Sequence, residues 1–240
     1  MRNPFDRTPP RKRHGIFSFI RIAPAWRVAA LLALAAAPAA RAAGLDSLEQ
    51  FLREARSGKA DFTQTVTTPG RDGQPPRVKT QSGSFAFERP GKFRFIYRTP
   101  FEQTIVADGQ TLWLYDADIN QVTARRQEQA LGSTPAAIVA ATDLKTLQKT
   151  FDLASEPDQN GLQWIRATPK TPDTQIQTVR AGFKPAAAAA AATPELAALE
   201  ITDNFGQRSV LTFTDFQTNP ALPPQTFEFT PPAGADVIRE

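Results

Sequence analysis

Reactive side chains are scarce in this sequence. It has no cysteine and a single histidine, His14. Beyond residue 42 the chain therefore offers neither imidazole nor thiol, which excludes Ser-His-Asp and Cys-His catalysis and the usual zinc sites. Carboxylates and lysines remain, but no pair of them is spaced as an acid-base motif. The residues that stand out are apolar. Phe93, Phe95 and Tyr97 occupy alternate positions, so in a strand they share one face. Such a stripe is either permanent core or the wall of a site for an apolar ligand, and the residues alone leave both readings open. Arg89 precedes Pro90-Gly91 in a turn-like tetrapeptide. By position it reads as a solvated surface charge.

The elements that must position these residues are mostly strands. Phe85 and Phe87 alternate before the Glu88–Gly91 turn, as Phe93–Tyr97 do after it. Gln103–Ala107 and Gln110–Tyr115 flank Asp108-Gly109, for which a type I′ hairpin turn is expected. The result is a four-strand antiparallel meander over 83–115. Trp113 lies in a strand apolar on both faces, so its direction stays open. Upstream, Leu45, Leu48, Phe51 and Leu52 mark an amphipathic helix that Gly58 is expected to end. Ala60–Thr67 reads as a strand with Phe62 and Val66 on one face, and 69–76 as a polar loop. Further strands are expected at 121–125, 151–153, 162–168, 175–183, 199–202 and 209–216. A short edge strand and extended tail cover Phe227–Ile238. Ser133 or Thr134 with Pro135 starts a short apolar helix to Ala141, and Asp143 starts another to Gln148. Pro185–Pro194, with seven alanines, reads as a loose surface insertion. This order predicts a mainly β (α+β) domain, one curved antiparallel sheet with helices over its concave face.

The first 42 residues belong to a different category. Seven basic residues through Arg27 precede the apolar run Val28–Ala37, and Ala40-Arg41-Ala42 offers small residues at a cleavage site. That is the pattern of a secretory signal peptide, and the apolar run is about half of the ~20 residues a membrane span needs. The expected organisation is a cleaved segment 1–42 and one domain over 43–240. Without the segment, 20 basic and 23 acidic residues remain, a net of −3. The high pI therefore resides in the leader, and a nucleic-acid partner loses its support. An exported chain without cysteine must rely on its core, which roughly 200 residues can supply.

In order along the chain, Ala60-Asp-Phe-Thr-Gln64, Gly83-x-Phe-x-Phe-x-Arg89-Pro90 with Phe93, and Pro100-x-x-Gln-x-Ile-Val-Ala-Asp108-Gly109-x-x-Leu-Trp113-x-Tyr115 are followed by Gln121-Val-Thr, Thr134-Pro135 and Phe229-Thr-Pro-Pro-x-Gly-x-Asp-Val-Ile238. In this sequence and spacing they resemble the periplasmic outer-membrane lipoprotein carrier family, LolA. The resemblance implies an incomplete β-barrel closed by an N-terminal helix and short lid helices, with an apolar cavity. It implies a non-enzymatic periplasmic chaperone without cofactor or metal, most simply a monomer. Its partners would be triacylated lipoproteins, an inner-membrane ABC-type extractor and an outer-membrane receptor. By residue, it implies cavity positions at Phe93, Phe95, Tyr97 and Ile105, a lid helix over Pro135–Ala141 that brings Ile138 and Val139, and a lid latch at Arg89. The Ala-rich insertion and the small Ala136 and Ala137 depart from the family pattern. A periplasmic lipid- or lipoprotein-binding sensor or adaptor of the same half-barrel fold is the alternative.

Overall fold

A computed structural model describes residues 43–70, 73–131, 138–139, 141–171, 175–186 and 193–240. The leader, the start of the expected Pro135 helix and most of the alanine run lie outside the described residues. Among the described residues no helix is long and apolar enough to cross a membrane.

Helix α1 (Ala43–Glu54) opens the described chain, with Leu48, Phe51 and Leu52 buried as their spacing requires. Burying each contributes about 1.5–3 kcal/mol. The first half of the sheet follows as β1 (Ser57–Thr68), β2 (Arg77–Glu88), β3 (Lys92–Thr99), β4 (Gln103–Ala107), β5 (Thr111–Asp116) and β6 (Gln121–Arg126). Two short helices come next, α2 (Gln127–Leu131) and α3 (Leu144–Thr150). The chain then forms β7 (Phe151–Gln159), β8 (Leu162–Pro169), β9 (Ile176–Lys184), β10 (Glu195–Asp203) and β11 (Arg208–Thr218). A 3-10 turn at Pro224–Phe227 and the edge strand β12 (Asp236–Arg239) close it.

The twelve strands form one sheet in the order β12-β6-β5-β4-β3-β2-β1-β11-β10-β9-β8-β7, with β12 and β7 as free edges. Neighbours are antiparallel except β12, which runs parallel to β6 with Asp236 opposite Gln121. The sheet is strongly curled. Phe87 on β2 and Phe183 on β9 are four strand spacings apart, about 19 Å on a flat sheet. Both rings nevertheless pack on Phe51 of α1, at 5.8 and 5.5 Å between centroids. The concave face, α1, Ile138 and Val139 share one apolar core. The C-terminal segment covers part of the convex face: Phe229 lies 5.5 Å from Trp113, and Arg94 donates to the Thr226 carbonyl at 3.1 Å.

The structure corrects several expectations. Gly58 does not end α1, which stops at Glu54; it lies in β1, where a Cβ would stand 2.3 Å from the Phe87 ring. The β4–β5 turn is not type I′, because Gly109 (φ +104°) has positive φ and Asp108 does not. Instead the Asp108 carboxylate accepts from the N–H groups of Gln110 and Thr111 and from the Trp113 indole, at 2.7–2.9 Å. Partial burial pushes that carboxyl upward, but these donors outweigh it and hold it below the usual range. Helix α2 was not expected. Its first residue, Gln127, is buried and clamps two turns, donating to the Gly91 carbonyl (2.7 Å) and accepting from the Gly109 N–H (2.9 Å). The edge strand of the tail is confined to β12, and its pairing is parallel. The expected Asp143 cap is present: its carboxylate accepts from the Thr146 N–H at 2.7 Å. Edge strand β7 contains Pro157 and a break in register between Glu156 and Gln159.

Candidate functional site

The β2–β3–β4 registers decide which side chains meet. Phe85 stands opposite Phe95, and Phe95 opposite Ile105. Phe62 on β1 presents its edge to Phe95 and Tyr97, at 5.7 and 5.0 Å. The inner ends of Phe93, Phe95, Tyr97 and Ile105 line a cavity of about 200 Å³. Its remaining walls are Leu112 and Leu114 on β5 and Leu199, Ile201 and Leu211 on β10 and β11. Gln64 is the exception among these apolar residues; its Nε2 donates to the Ser209 hydroxyl at 2.5 Å, while its Oε1 is buried without a partner. Burial pushes the Tyr97 hydroxyl up to about 12. Such a cavity provides non-directional apolar contact and little else.

Arg89 lies at the end of the sheet where β2 turns into β3, and it is half-buried rather than solvated. Its Nε donates to the Ala55 carbonyl just past α1, at 2.8 Å. Its Nη1 donates to the carbonyls of Val139 and Ala141. The guanidinium lies over the rings of Phe51 and Phe87, at 5.2 and 5.0 Å. Among the described residues no carboxylate pairs with it, and Nη2 has no partner. Burial pulls it down to about 10, still charged at neutral pH. One cation thus ties α1 and the segment containing Ile138 and Val139 to a β-turn. Those two residues are buried in the core that the cavity abuts, but they are not part of the cavity wall described above.

A larger depression, about 690 Å³, lies against this tie, with Arg89 itself, Glu49, Arg53, Arg56, Asp143 and Lys145 in its wall beside Leu52, Pro90 and Leu144. Its charged lining suits apolar chains poorly, so the smaller cavity is the better candidate despite its size. Among the described residues no group of three or more His, Asp or Glu is placed to hold a metal ion.

The β5 periodicity separated Leu112 and Leu114 from Trp113 and Tyr115 but could not say which pair faced inward. The structure turns the leucines to the cavity and Trp113 outward to Phe229. Leu199, Ile201 and Leu211 carried no local signal, because their place in the wall depends on β11 pairing with β1 across more than a hundred residues.

An open, curled sheet around an apolar interior, closed by a helix and a tied segment, is the architecture of an apolar-ligand half-barrel. A family model described as "Outer membrane lipoprotein carrier protein LolA" matches residues 53–230. An outer-membrane lipoprotein carrier protein of Albidiferax ferrireducens is 62% identical over 202 residues, covering 84% of this chain and 93% of that protein. One from Methylibium petroleiphilum is 48% identical over 215 residues, covering 90% and 97%. One from Leptothrix cholodnii is 48% identical over 202 residues, covering 84% and 88%. The chain belongs to the LolA family.

Proposed function

We propose that this protein is a non-enzymatic carrier that holds the acyl chains of lipoproteins in the cavity lined by Phe93, Phe95, Tyr97 and Ile105. It takes them from an ATP-driven inner-membrane extractor, crosses the periplasm and delivers them to an outer-membrane receptor. Residues 1–42 act as the export signal, and the domain from Ala43 is the working form. The observation that carries this reading is the combination of an apolar cavity with a half-buried arginine tying down the segment beside it. The names of the relatives agree with it.

Energetics supports the assignment. Each acyl methylene removed from water contributes about 0.8 kcal/mol, so three long chains represent tens of kcal/mol. Aromatic and aliphatic walls offset that cost without directional bonds, which leaves the cargo releasable. The cavity is smaller than the roughly 300–1,000 Å³ of ordinary ligand pockets. Three chains therefore require the tied segment to move, and Arg89 is the group that holds it. Ile138 and Val139 then serve as the apolar plug that cargo displaces.

The test uses inner-membrane vesicles that contain a triacylated lipoprotein and the cognate extractor. The protein, processed by its host and purified, is added with ATP. The expected result is a soluble one-to-one complex of lipoprotein and carrier that forms only with ATP. Lipoprotein that stays in the membrane beside folded protein overturns the carrier reading and favours a sensor or adaptor.

A further inference from the structure

Among the described residues five large apolar side chains are exposed; Ile238 lies within the β12–β6 ladder, and the others gather at one end of the sheet. Val78, Phe101 and Phe205 are 62%, 57% and 73% exposed, and all three lie at the end of the sheet remote from Arg89. The ladders show this directly. Thr67 stands opposite both Val78 and Arg208, so the β1–β2 and β10–β11 connections emerge side by side. A hydrogen bond from the Thr68 hydroxyl to the Gln207 side chain (3.1 Å) joins them. Ser82 opposite Thr99 brings the β3–β4 connection, with Phe101, to the same end. Aromatic residues at hairpin tips are costly in water and contribute nothing to the core, so their clustering needs a reason.

Two further observations point to the occupant. Arg77 and Lys79 flank Val78, are exposed, and have no acidic partner among the described residues. By contrast Ile119, at the next tip along, is set beside Asp116 and Asp118. The Val78 side of this end is therefore basic, which suits an anionic lipid surface, while Glu102 adjoins Phe101 and the Asp203 carboxylate is held by the N–H groups of Phe205 and Gln207 within their own turn. The cavity also reaches toward this end. Tyr97 and Ile201 line it, and Phe101 and Phe205 follow each four residues later, about 13 Å along a strand.

We propose that the tips bearing Val78, Phe101 and Phe205, with Arg77 and Lys79, form a surface that rests on a phospholipid bilayer rich in anionic headgroups. Separate tips on different hairpins suit a fluid surface, which adapts to each side chain without a matching pocket. The carrier reading gives this contact a purpose, bringing the cavity to the membrane that supplies or receives acyl chains, but the contact can be measured independently.

The experiment is flotation of the host-processed protein with protein-free vesicles of phosphatidylethanolamine and phosphatidylglycerol, against vesicles of phosphatidylcholine alone. The protein is expected to float with the anionic vesicles and to be released by salt. The double variant Phe101→Ser with Phe205→Ser should lower the bound fraction at least about tenfold while the thermal transition stays in place, since both side chains are exposed. Arg77→Ala and Lys79→Ala should each weaken binding about fivefold on anionic vesicles only. Absence of binding to any protein-free vesicle, or a double variant that floats like its parent, overturns the proposal. Binding that appears only when vesicles carry the extractor also overturns it, by making the tips a protein dock. Because these vesicles hold neither lipoprotein nor extractor, a negative result here leaves the ATP-dependent extraction test intact.

Discussion

Replacing Arg89 with leucine tests the latch directly. Leucine keeps apolar contact with Phe51 and Phe87 but has no donor for the carbonyls of Ala55, Val139 and Ala141. A hydrogen bond from a charged donor contributes about 1.5–3 kcal/mol. Here the two bonds that reach the segment of Ile138 and Val139 share one nitrogen and so count for less than two independent ones. Desolvation opposes them, as the fall of Arg89 to about 10 records. A net of about 2–3 kcal/mol on the latched state follows, or roughly a 30- to 150-fold shift in the latched-to-open ratio. If only the open state takes cargo, apparent affinity is the intrinsic affinity scaled by the open fraction. Arg89→Leu should therefore bind a synthetic triacylated lipopeptide more tightly, by up to that factor, and release it correspondingly more slowly. Arg89→Lys, which keeps the charge but loses the fork, should fall between. Stopped-flow release of a fluorescent lipopeptide gives both quantities. Equal affinities and equal release rates in parent and leucine variant would refute the latch.

Filling the cavity should act in the opposite sense: Ile105→Trp should weaken lipopeptide binding at least about tenfold by occupying the space acyl chains need, with the thermal midpoint shifted by only a few degrees, as calorimetry would show. Tyr97 predicts an alkaline signature. Its folded pKa, about 12, lies above the unfolded value near 10, so the stability it supports is complete below pH 10 and is lost as pH rises from about 10 to 12. Tyr97→Phe should flatten that part of the curve in urea titrations; a parent and variant with parallel curves would exclude burial as the cause. Gly58→Ala should cost about 1–3 kcal/mol, because the new methyl forces the Phe87 ring from its place beneath Arg89. Denaturant midpoints would detect it, and an unchanged midpoint would mean that the ring relaxes freely.

Local patterns were readable and long-range ones were not. Alternation placed Phe85, Phe87, Phe93 and Phe95 on one face, and the same face is buried. Helical spacing placed Leu48, Phe51 and Leu52, and an aspartate before a short apolar run placed the α3 cap. The Asp108-Gly109 pair signalled a turn but not its geometry, because the carboxylate, rather than a second positive φ, satisfies the backbone. Gly58 illustrates a different difficulty. A glycine four residues past a helix looks like a stop, and only the ring of Phe87 on the adjacent strand shows that its missing side chain matters. Three residues of the cavity wall were invisible for a related reason. Leu199, Ile201 and Leu211 reach Phe95 only after the sheet has curled, and nothing near them in sequence records that curl. Arg89 is intermediate: its turn was legible, but family resemblance, not spacing, pointed to carbonyl partners and a lid.

Among the described strands β7 has no neighbour on its outer margin, with a consequence for how the protein behaves when crowded. An open sheet invites a second molecule to add its own strand, the first step toward polymers and fibres. Pro157 removes one of the N–H groups such growth would use, and the register break beside it bends the margin out of line. Asp158, exposed on the same strand, places a like charge where an identical copy would approach. A sheet left open in this way can thereby stay a solitary particle at high concentration, with its growth by self-templating hindered on the side that no other described strand covers.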